Sequence, residues 1–407
     1  MHRYRHRLRQ TAWLIAMLAG LSGCGTAIAR PSAGPVPVLA QGTVSVRDQV
    51  LTDNERRRTV NPDGYARKLA KLSEAPYSFF RGTSPLFYRR LFAALPASLR
   101  AAPAVIVHGD LHLENFTALP GADGVYYGID DFDESLPGPA SIDLIRCLSS
   151  IVVAYGDDES LLGAFLDGYR QGTDGRMATA SVAITKLIRK QSNATQAEML
   201  AKRTTATRPR QMKPGDATKA LTPAQQATLQ AAVAAGKLGG LDGLPCEDAV
   251  QRFAGTASLD LFRFEGVFGN GGDRDRIVEI KELLPSVLAG HLGTPSDDGA
   301  RYRQAVRQFQ GAAASPVSDT TFGNYRMLIR YRAACKDTVS PEDVGPGDRQ
   351  AFLTDLGKIT GAAHTRSGRG GALATFVDAQ RALLIRTAQR QGNQSLNDYK
   401  AFGASRR

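Results

Sequence analysis

His108-Gly109-Asp110-Leu111-His112-Leu113-Glu114-Asn115 and Ile129-Asp130-Asp131-Phe132-Asp133 are the two stretches on which the reading of this chain turns. They place an Asp, an Asn five residues later and an acidic Asp-Phe pair in the order used by a phosphoryl-transfer site. Such a site needs a carboxylate to accept the proton of an attacking hydroxyl, then an amide oxygen and a second carboxylate to hold Mg²⁺ against phosphates. Asp110 is the candidate base, Asn115 and Asp131 are the candidate metal ligands, and Asp133 is a reserve ligand. A lone Asp at a surface is ordinarily just solvated; the joint spacing carries the argument.

The surrounding sequence suits that chemistry. Ala104-Val105-Ile106-Val107 is a short apolar, β-branched run, expected as a buried strand that delivers His108 and Asp110 into a loop. Val125–Ile129 reads as a second strand, with 121–124 as its turn. A strand, loop, strand hairpin of this length is expected to return Asn115 and Asp131 to one end. Pro137, Gly138 and Pro139 then break the chain before an apolar-periodic helix running to about Tyr155. Asp143, in its first turn, suits a helix N-terminus and is expected to cap and brace. His108 and His112 read as hydrogen-bonding supports of the loop, because no Cys/His set at zinc spacing accompanies them.

These residues resemble the aminoglycoside phosphotransferase branch of the protein-kinase-like superfamily, whose loop reads His-Gly-Asp-Leu-His-x-x-Asn and is followed by Ile-Asp-Phe. A closer resemblance is to the bacterial family called domain of unknown function 2252. It is carried by Tyr77-Ser78-Phe79-Phe80-Arg81-Gly82, by Gly109–Phe116, by Asp131-Phe132-Asp133-Glu134 with Gly138-Pro139, by Asp143-Leu144, by Lys281-Glu282 and by His364-Thr365-Arg366-Ser367-Gly368. That family name carries no activity, so the chemistry rests on the residues.

A kinase-like site also needs a strand lysine for the donor's phosphates and a turn that covers them. Arg276-Ile277-Val278-Glu279-Ile280-Lys281 offers the lysine, with 258–264 as a partner strand, 270–273 as the connection, and Gly255-Thr256-Ala257-Ser258 as the covering turn. The phosphate-anchoring part then follows the catalytic loop, so the expected fold is α+β, protein-kinase-like, two-lobed and permuted in order, as the family resemblance also implies. Two parts of the usual pattern are missing. The turn has only Gly255 of a Gly-x-Gly-x-x-Gly, and no Glu occurs between Glu282 and Glu342, which leaves Glu282 or a more distant acid to pair with Lys281. Arg81, His364 and Arg366 are candidate substrate or phosphate contacts; for His364 a helix-terminal structural role is the competing reading.

Arg3, Arg5, Arg7 and Arg9, the apolar run 12–21 and Leu21-Ser22-Gly23-Cys24 read as a secretory signal ending in a lipobox, with Cys24 as the lipidated terminus of an envelope protein facing the periplasm. The run is too short for an ordinary membrane span. Residues 24–50, rich in Pro, Ala, Gly and Val, read as a tether, and a body is expected over 51–407. Its catalytic-loop part is placed at about 100–172, its β-rich part at 250–285 and a helical part at 300–407. Helices are expected around 84–94, 161–171, 181–204, 224–235, 301–310, 348–364 and 372–391.

The net charge of +12 falls to +8 without the signal arginines. Lys202, Arg203, Arg208, Arg210, Lys213 and Lys219 concentrate the surplus, with only Asp216 among them, and read as a solvated linker. No motif or aromatic interleaving supports nucleic-acid binding. After lipidation of Cys24, Cys147, Cys246 and Cys335 remain, and Cys246 with Cys335 is the pair that export would permit to oxidise.

The function expected from these residues is phosphoryl transfer from ATP with Mg²⁺ to a small-molecule or protein acceptor. A periplasm is not known to hold free ATP, so a non-catalytic ligand-binding or envelope scaffold is the first alternative. A metal-dependent phosphoesterase is the second; Asp110-Leu111-His112 resembles the opening of that motif set, but the later Gly-Asp-x-x-Asp and Gly-Asn-His segments are absent.

Overall fold

The computed structural model describes residues 44–235, 244–272, 274–311, 316–322 and 324–404. Cys24, the signal and most of the tether lie outside them. The first described helix, α1 (Val46–Val60), starts upstream of the body expected from residue 51: Ser45 caps it and Val50 is buried. Four more helices follow, α2 (Pro62–Leu72), α3 (Pro76–Gly82), α4 (Ser84–Ala94) and α5 (Ala97–Arg100).

Strand β1 (Ala104–Val107) forms where the apolar run predicts it, but its partner differs from expectation. It pairs antiparallel with β4 (Leu136–Pro139), while β2 (Phe116–Gly121) and β3 (Gly124–Ile129) make the hairpin. Phe116 faces Ile129 in that register and Asp130 N–H donates to Asn115 O at 3.0 Å, so Asn115 and the Asp130-Asp131 pair do meet at one end. The expected hairpin overlooked β2 because its apolar run ends in Pro120-Gly121 and merges with the turn.

Helix α6 (Ser141–Tyr155) follows the Pro-Gly-Pro break and is buried around nearly its whole circumference, against α14 (Gly370–Ala404) among others. Helices α7 (Glu159–Thr173) and α13 (Arg349–Thr365) pack through glycines on both sides. A Cβ on Gly168 would lie 2.0 Å from Thr354 O, and one on Gly357 would lie 2.1 Å from Phe165 O. Only hydrogen at these positions permits backbone to touch backbone.

The expected helix 181–204 is two helices, α8 (Val182–Gln191) and α9 (Gln196–Arg203), divided at Thr195, which forms a capping box with Glu198. The basic run 202–219 is not a linker. Thr204 bridges Met212, and Arg203, Arg210 and Lys219 pair with Glu265, Asp275 and Asp63.

The main sheet is antiparallel, six-stranded, in the order β5-β6-β7-β8-β10-β9. Its strands are β5 (Thr218–Ala220), β6 (Cys246–Arg252), β7 (Arg263–Phe268), β8 (Arg276–Glu282), β9 (Val317–Phe322) and β10 (Tyr325–Tyr331). It therefore exceeds the β-rich segment expected at 250–285, and β9 and β10 fall inside the part expected to be helical. The partner of β8 begins at Arg263 rather than 258, since 257–260 is turn and 261 a bend. One face is apolar, with Phe268, Val278, Ile280, Met327 and Ile329 packing under α10 (Pro223–Ala234). The opposite face carries Arg263, Glu265, Glu279, Lys281 and Arg330, by the period of two along a strand. Between β8 and β9 lie α11 (Ala289–Leu292) and α12 (Asp298–Gln310). The protein is thus mixed α+β, 54% helix and 17% strand. Cys147, Cys246 and Cys335 are all free and buried, so the Cys246–Cys335 disulfide is not formed.

Candidate functional site

The loop after β1 is held from below by one carboxylate. Asp143, fully buried, accepts the N–H of His108 at 2.6 Å and of Gly109 at 2.9 Å. Its second support is His364, whose Nε2 lies 3.1 Å from Asp143 Oδ2 and whose Nδ1 lies 2.9 Å from the Tyr169 hydroxyl. Since a carboxylate only accepts, His364 presents Nε2–H to Asp143 and Nδ1 to Tyr169. His364 is therefore a brace enclosed in the core, not a phosphate contact. Arg366 is committed as well, donating to the carbonyls of Gln308 and Phe309 at 3.0 Å.

His108 is hydrogen-bonded through both ring nitrogens. Its Nδ1 accepts Asp110 N–H at 3.2 Å and its Nε2 donates to Asp130 O at 3.0 Å, which ties the two acidic stretches together. Gly109 takes φ +79°, and a Cβ there would stand 2.2 Å from Glu134 O. His112 caps the short turn at 113–115 by accepting Glu114 N–H, and burial followed by nearby Arg81 and Arg146 holds it well below the ordinary histidine range, hence neutral.

Asp110 and Asn115 are coupled directly. Asn115 Nδ2 donates to Asp110 O at 2.7 Å, which commits the amide nitrogen and leaves Oδ1 as the end suited to a cation. The Asp110 carboxylate pairs with Arg146 at 2.9 and 3.0 Å. Burial raises its pKa, and Arg146 offsets that only in part. Arg146 is itself fully buried, donates to Phe80 O at 2.8 Å and lies 3.7 Å from the Phe80 ring centroid. Sequence reasoning missed Arg146. Its signal was the position three residues after Asp143, on the same helical face.

Lys281 enters from β8, 1% exposed, with Nζ 2.9 Å from Asp131 Oδ1 and a second, closer ion pair to Asp133. Asp131 is the one described non-glycine residue with positive φ, 71°, a strained backbone of the kind that collects at functional sites. Its carboxyl is only partly buried; that burial would raise it, but Lys281, Arg330 and Arg263 outweigh the effect and hold it well below the usual range. Asp133 goes the other way: burial and the Asp131 charge raise it against Lys281, and its Oδ1 is buried without a partner. Burial alone would lower Lys281, and the two acids reverse the sign. Asp131 and Asp133 thus stand where a helix glutamate was sought.

Glu282 does not pair with Lys281. It points from the opposite face of β8, bound to Arg57 through two bonds of 2.8 and 2.9 Å and to Phe262 N–H at 3.1 Å. The turn at Gly255, φ +76°, sits against Ser258, whose Oγ accepts Arg263 Nη2 at 2.9 Å; Arg263 is the cross-strand neighbour of Lys281. Arg81 is taken by Glu114.

Three further groups were not legible. Asp130, paired with Arg330 and Lys336, is lowered to about 2 because these cations overcome its burial. Arg301 of α12 donates to the carbonyls of Asp133, Ser135 and Leu284 and so fixes the acidic turn. Glu134 is pushed up to about 7, first by burial and then by Asp133 and Asp110, against a hydrogen bond from Val287 N–H.

The fold and this cluster define an α+β protein with a buried lysine set on two carboxylates beside a braced Asp/Asn loop. The chain belongs to the family of uncharacterised proteins conserved in bacteria, DUF2252, whose family model matches residues 61–405. No curated protein and no solved structure matches it.

Proposed function

We propose that this protein is a Mg²⁺-dependent phosphotransferase with a nucleotide donor, of protein-kinase-like, two-lobed architecture in permuted order, exported and anchored to the envelope through a lipid on Cys24. The observation that carries the reading is the meeting of Lys281 with Asp131, 150 positions apart, next to the loop in which Asn115 binds the backbone of Asp110. Asp131 and Asn115 would hold Mg²⁺, with Asp133 Oδ1, an orphaned buried acceptor, as the further oxygen. Mg²⁺ typically takes one or two carboxylates plus waters and substrate phosphates, so a three-acid cage is not required; among the described residues there is none. When bound, the cation neutralises charge on the phosphates.

The chain's own groups divide the remaining work. Asp110, raised by burial and oriented by Arg146, takes the hydroxyl proton of the acceptor as that oxygen bonds to the terminal phosphorus and the bond to the leaving nucleoside diphosphate breaks. Lys281, kept charged by its acids, would be free to turn to the donor's phosphates if Asp131 and Asp133 were engaged by a bound cation. The second reading, a non-catalytic ligand-binding scaffold of the envelope, is favoured by one feature: Lys281 already neutralises both acids.

Two variants separate the readings. Asp110→Asn is expected to keep Mg²⁺·ATP binding and to lose turnover by about 10²- to 10⁴-fold. Asp131→Asn is expected to weaken the binding itself. Equal Mg²⁺·ATP affinity in wild type, Asp131→Asn and Asp133→Asn by calorimetry, or none in any of them, rules out the site.

A further inference from the structure

Past Lys281, six cations share three carboxylates along the polar face of the sheet. Glu265 is held by Arg203, by Arg252 at 3.2 Å and by Arg332 at 3.4 Å. Glu279 takes Arg263 at 3.3 Å and Arg330 at 2.8 Å, and Asp130 takes Arg330 at 3.3 Å and Lys336. Among the described residues this network carries a surplus of positive charge, and Arg252 Nε and Arg263 Nε are buried without a partner. Uncompensated cations out of water are costly.

A cavity of about 50 Å³ opens on the same network, between the β2–β3 hairpin, α12 and the segment that follows β10. Arg330, Arg332 and Lys336 line it together with Asp130 and Glu279, and Leu119, Pro120 and Val306 supply an apolar wall. The two acids are already claimed by two cations each. Arg332 has only a third share of Glu265, at the longest distance in the set, and the apolar wall strengthens whatever electrostatic interaction occurs there. Burial, with Arg203 and Arg252 nearby, lowers the Arg332 guanidinium to about 10, the direction expected of a crowded cation.

We infer that this cavity is an anion site that takes one phosphate-sized oxyanion on the fork of Arg332, with Lys336 and Arg330 beside it. A water needs roughly 10–15 Å³ of such space, so the cavity holds a handful of waters or one tetrahedral anion and is too small for a nucleobase. A guanidinium fork matches two oxygens of a phosphate. The inference stands apart from the phosphotransfer reading, since it involves neither Asp110 nor Mg²⁺. Its ligand is either free phosphate or the phosphate of an ester.

The test uses the full mature chain without Mg²⁺, titrated with inorganic phosphate against chloride at equal ionic strength. Phosphate is expected to raise the wild-type melting temperature and to bind measurably by calorimetry. Arg332→Gln is expected to weaken that binding by about 10- to 100-fold, the worth of hydrogen bonds to a charged group. Its melting temperature without phosphate should equal or exceed wild type, because a crowded cation is gone; an arginine with a purely structural role would lower it. Should Arg332→Gln not fold, Arg332→Lys, which keeps the charge and loses the fork, carries the same comparison. Asp131→Asn, which removes an acid that acts on Arg330, is expected to keep or strengthen the phosphate shift while it weakens Mg²⁺·ATP binding, which keeps failure of this site distinct from failure of the phosphotransfer site. Tighter binding of glycerol 3-phosphate than of phosphate assigns an ester, and the reverse assigns the free ion. No phosphate-specific shift in wild type, or an undiminished one in the Arg332 variants, overturns the inference.

Discussion

Replacing Lys281 by Met keeps the length of the side chain and removes the charge, leaving Asp131 and Asp133 facing each other with no directly paired cation and only Arg330 and Arg263 nearby to offset them. Lys281 is 1% exposed and pairs with both acids, so it is the partner whose loss strands buried charge. Breaking a buried pair in this way costs about 3–5 kcal/mol. Asp131 keeps 45% of its side-chain surface in water, so screening places the expected cost at the low end, about 3 kcal/mol. At about 2 °C per kcal/mol for a large domain, the melting temperature should fall by roughly 6 °C. Mg²⁺ should then restore much of the loss in the variant and little in wild type, where the lysine competes for the same oxygens. Thermal denaturation with and without millimolar Mg²⁺, with Ca²⁺ and choline as controls, reads both effects. An unchanged melting temperature in Lys281→Met, or no selective gain with Mg²⁺, would refute the view that lysine and cation exchange on this acid pair.

Glu134, raised to about 7 from 4.5, keeps in the native state a proton that the unfolded chain releases. Its contribution is therefore fully present below pH 4.5 and lost as pH rises through 7, with a slope of at most roughly 1.4 kcal/mol per pH unit between; Glu134→Gln should flatten that part of a denaturant-derived stability profile. Gly357→Ala places a methyl 2.1 Å from Phe165 O, so α7 and α13 must separate; chemical denaturation should show a loss of at least about 1–3 kcal/mol, and an unchanged midpoint would contradict the close crossing. Cys24→Ala should release the protein from the membrane fraction or block its processing, because two acyl chains anchor where one binds marginally. Wild type found free after gentle lysis would remove the anchor.

Several of the site's groups were visible in the chain itself. Asp110, Asn115 and Asp131, with Asp133 in reserve, were named from the order and spacing of their residue types and from the motifs they resemble, and they lie near one another because the loop and the hairpin between them are short. Helix limits at Ser84, Ala94 and Tyr155 were legible for a similar reason: Pro and Gly mark the ends, and apolar residues repeat at helical spacing. The seat of Glu282 was also readable in principle, since adjacent strand residues face opposite ways.

What the sequence by itself determined is local: which residues the acidic loop carries, where strand β1 emerges, and that the lysine stands near the end of a strand. What only tertiary structure decided is pairing across long separations. Asp131 and Asp133 meeting Lys281, His364 reaching Asp143, Arg146 reaching Asp110 and the glycines of α7 lying on α13 each join segments distant in the chain. A charge seeks a partner once it leaves water, but composition does not say which of many acids or cations will be near. That choice follows from how the sheet and helices pack, because packing alone sets which side chains lose solvent together.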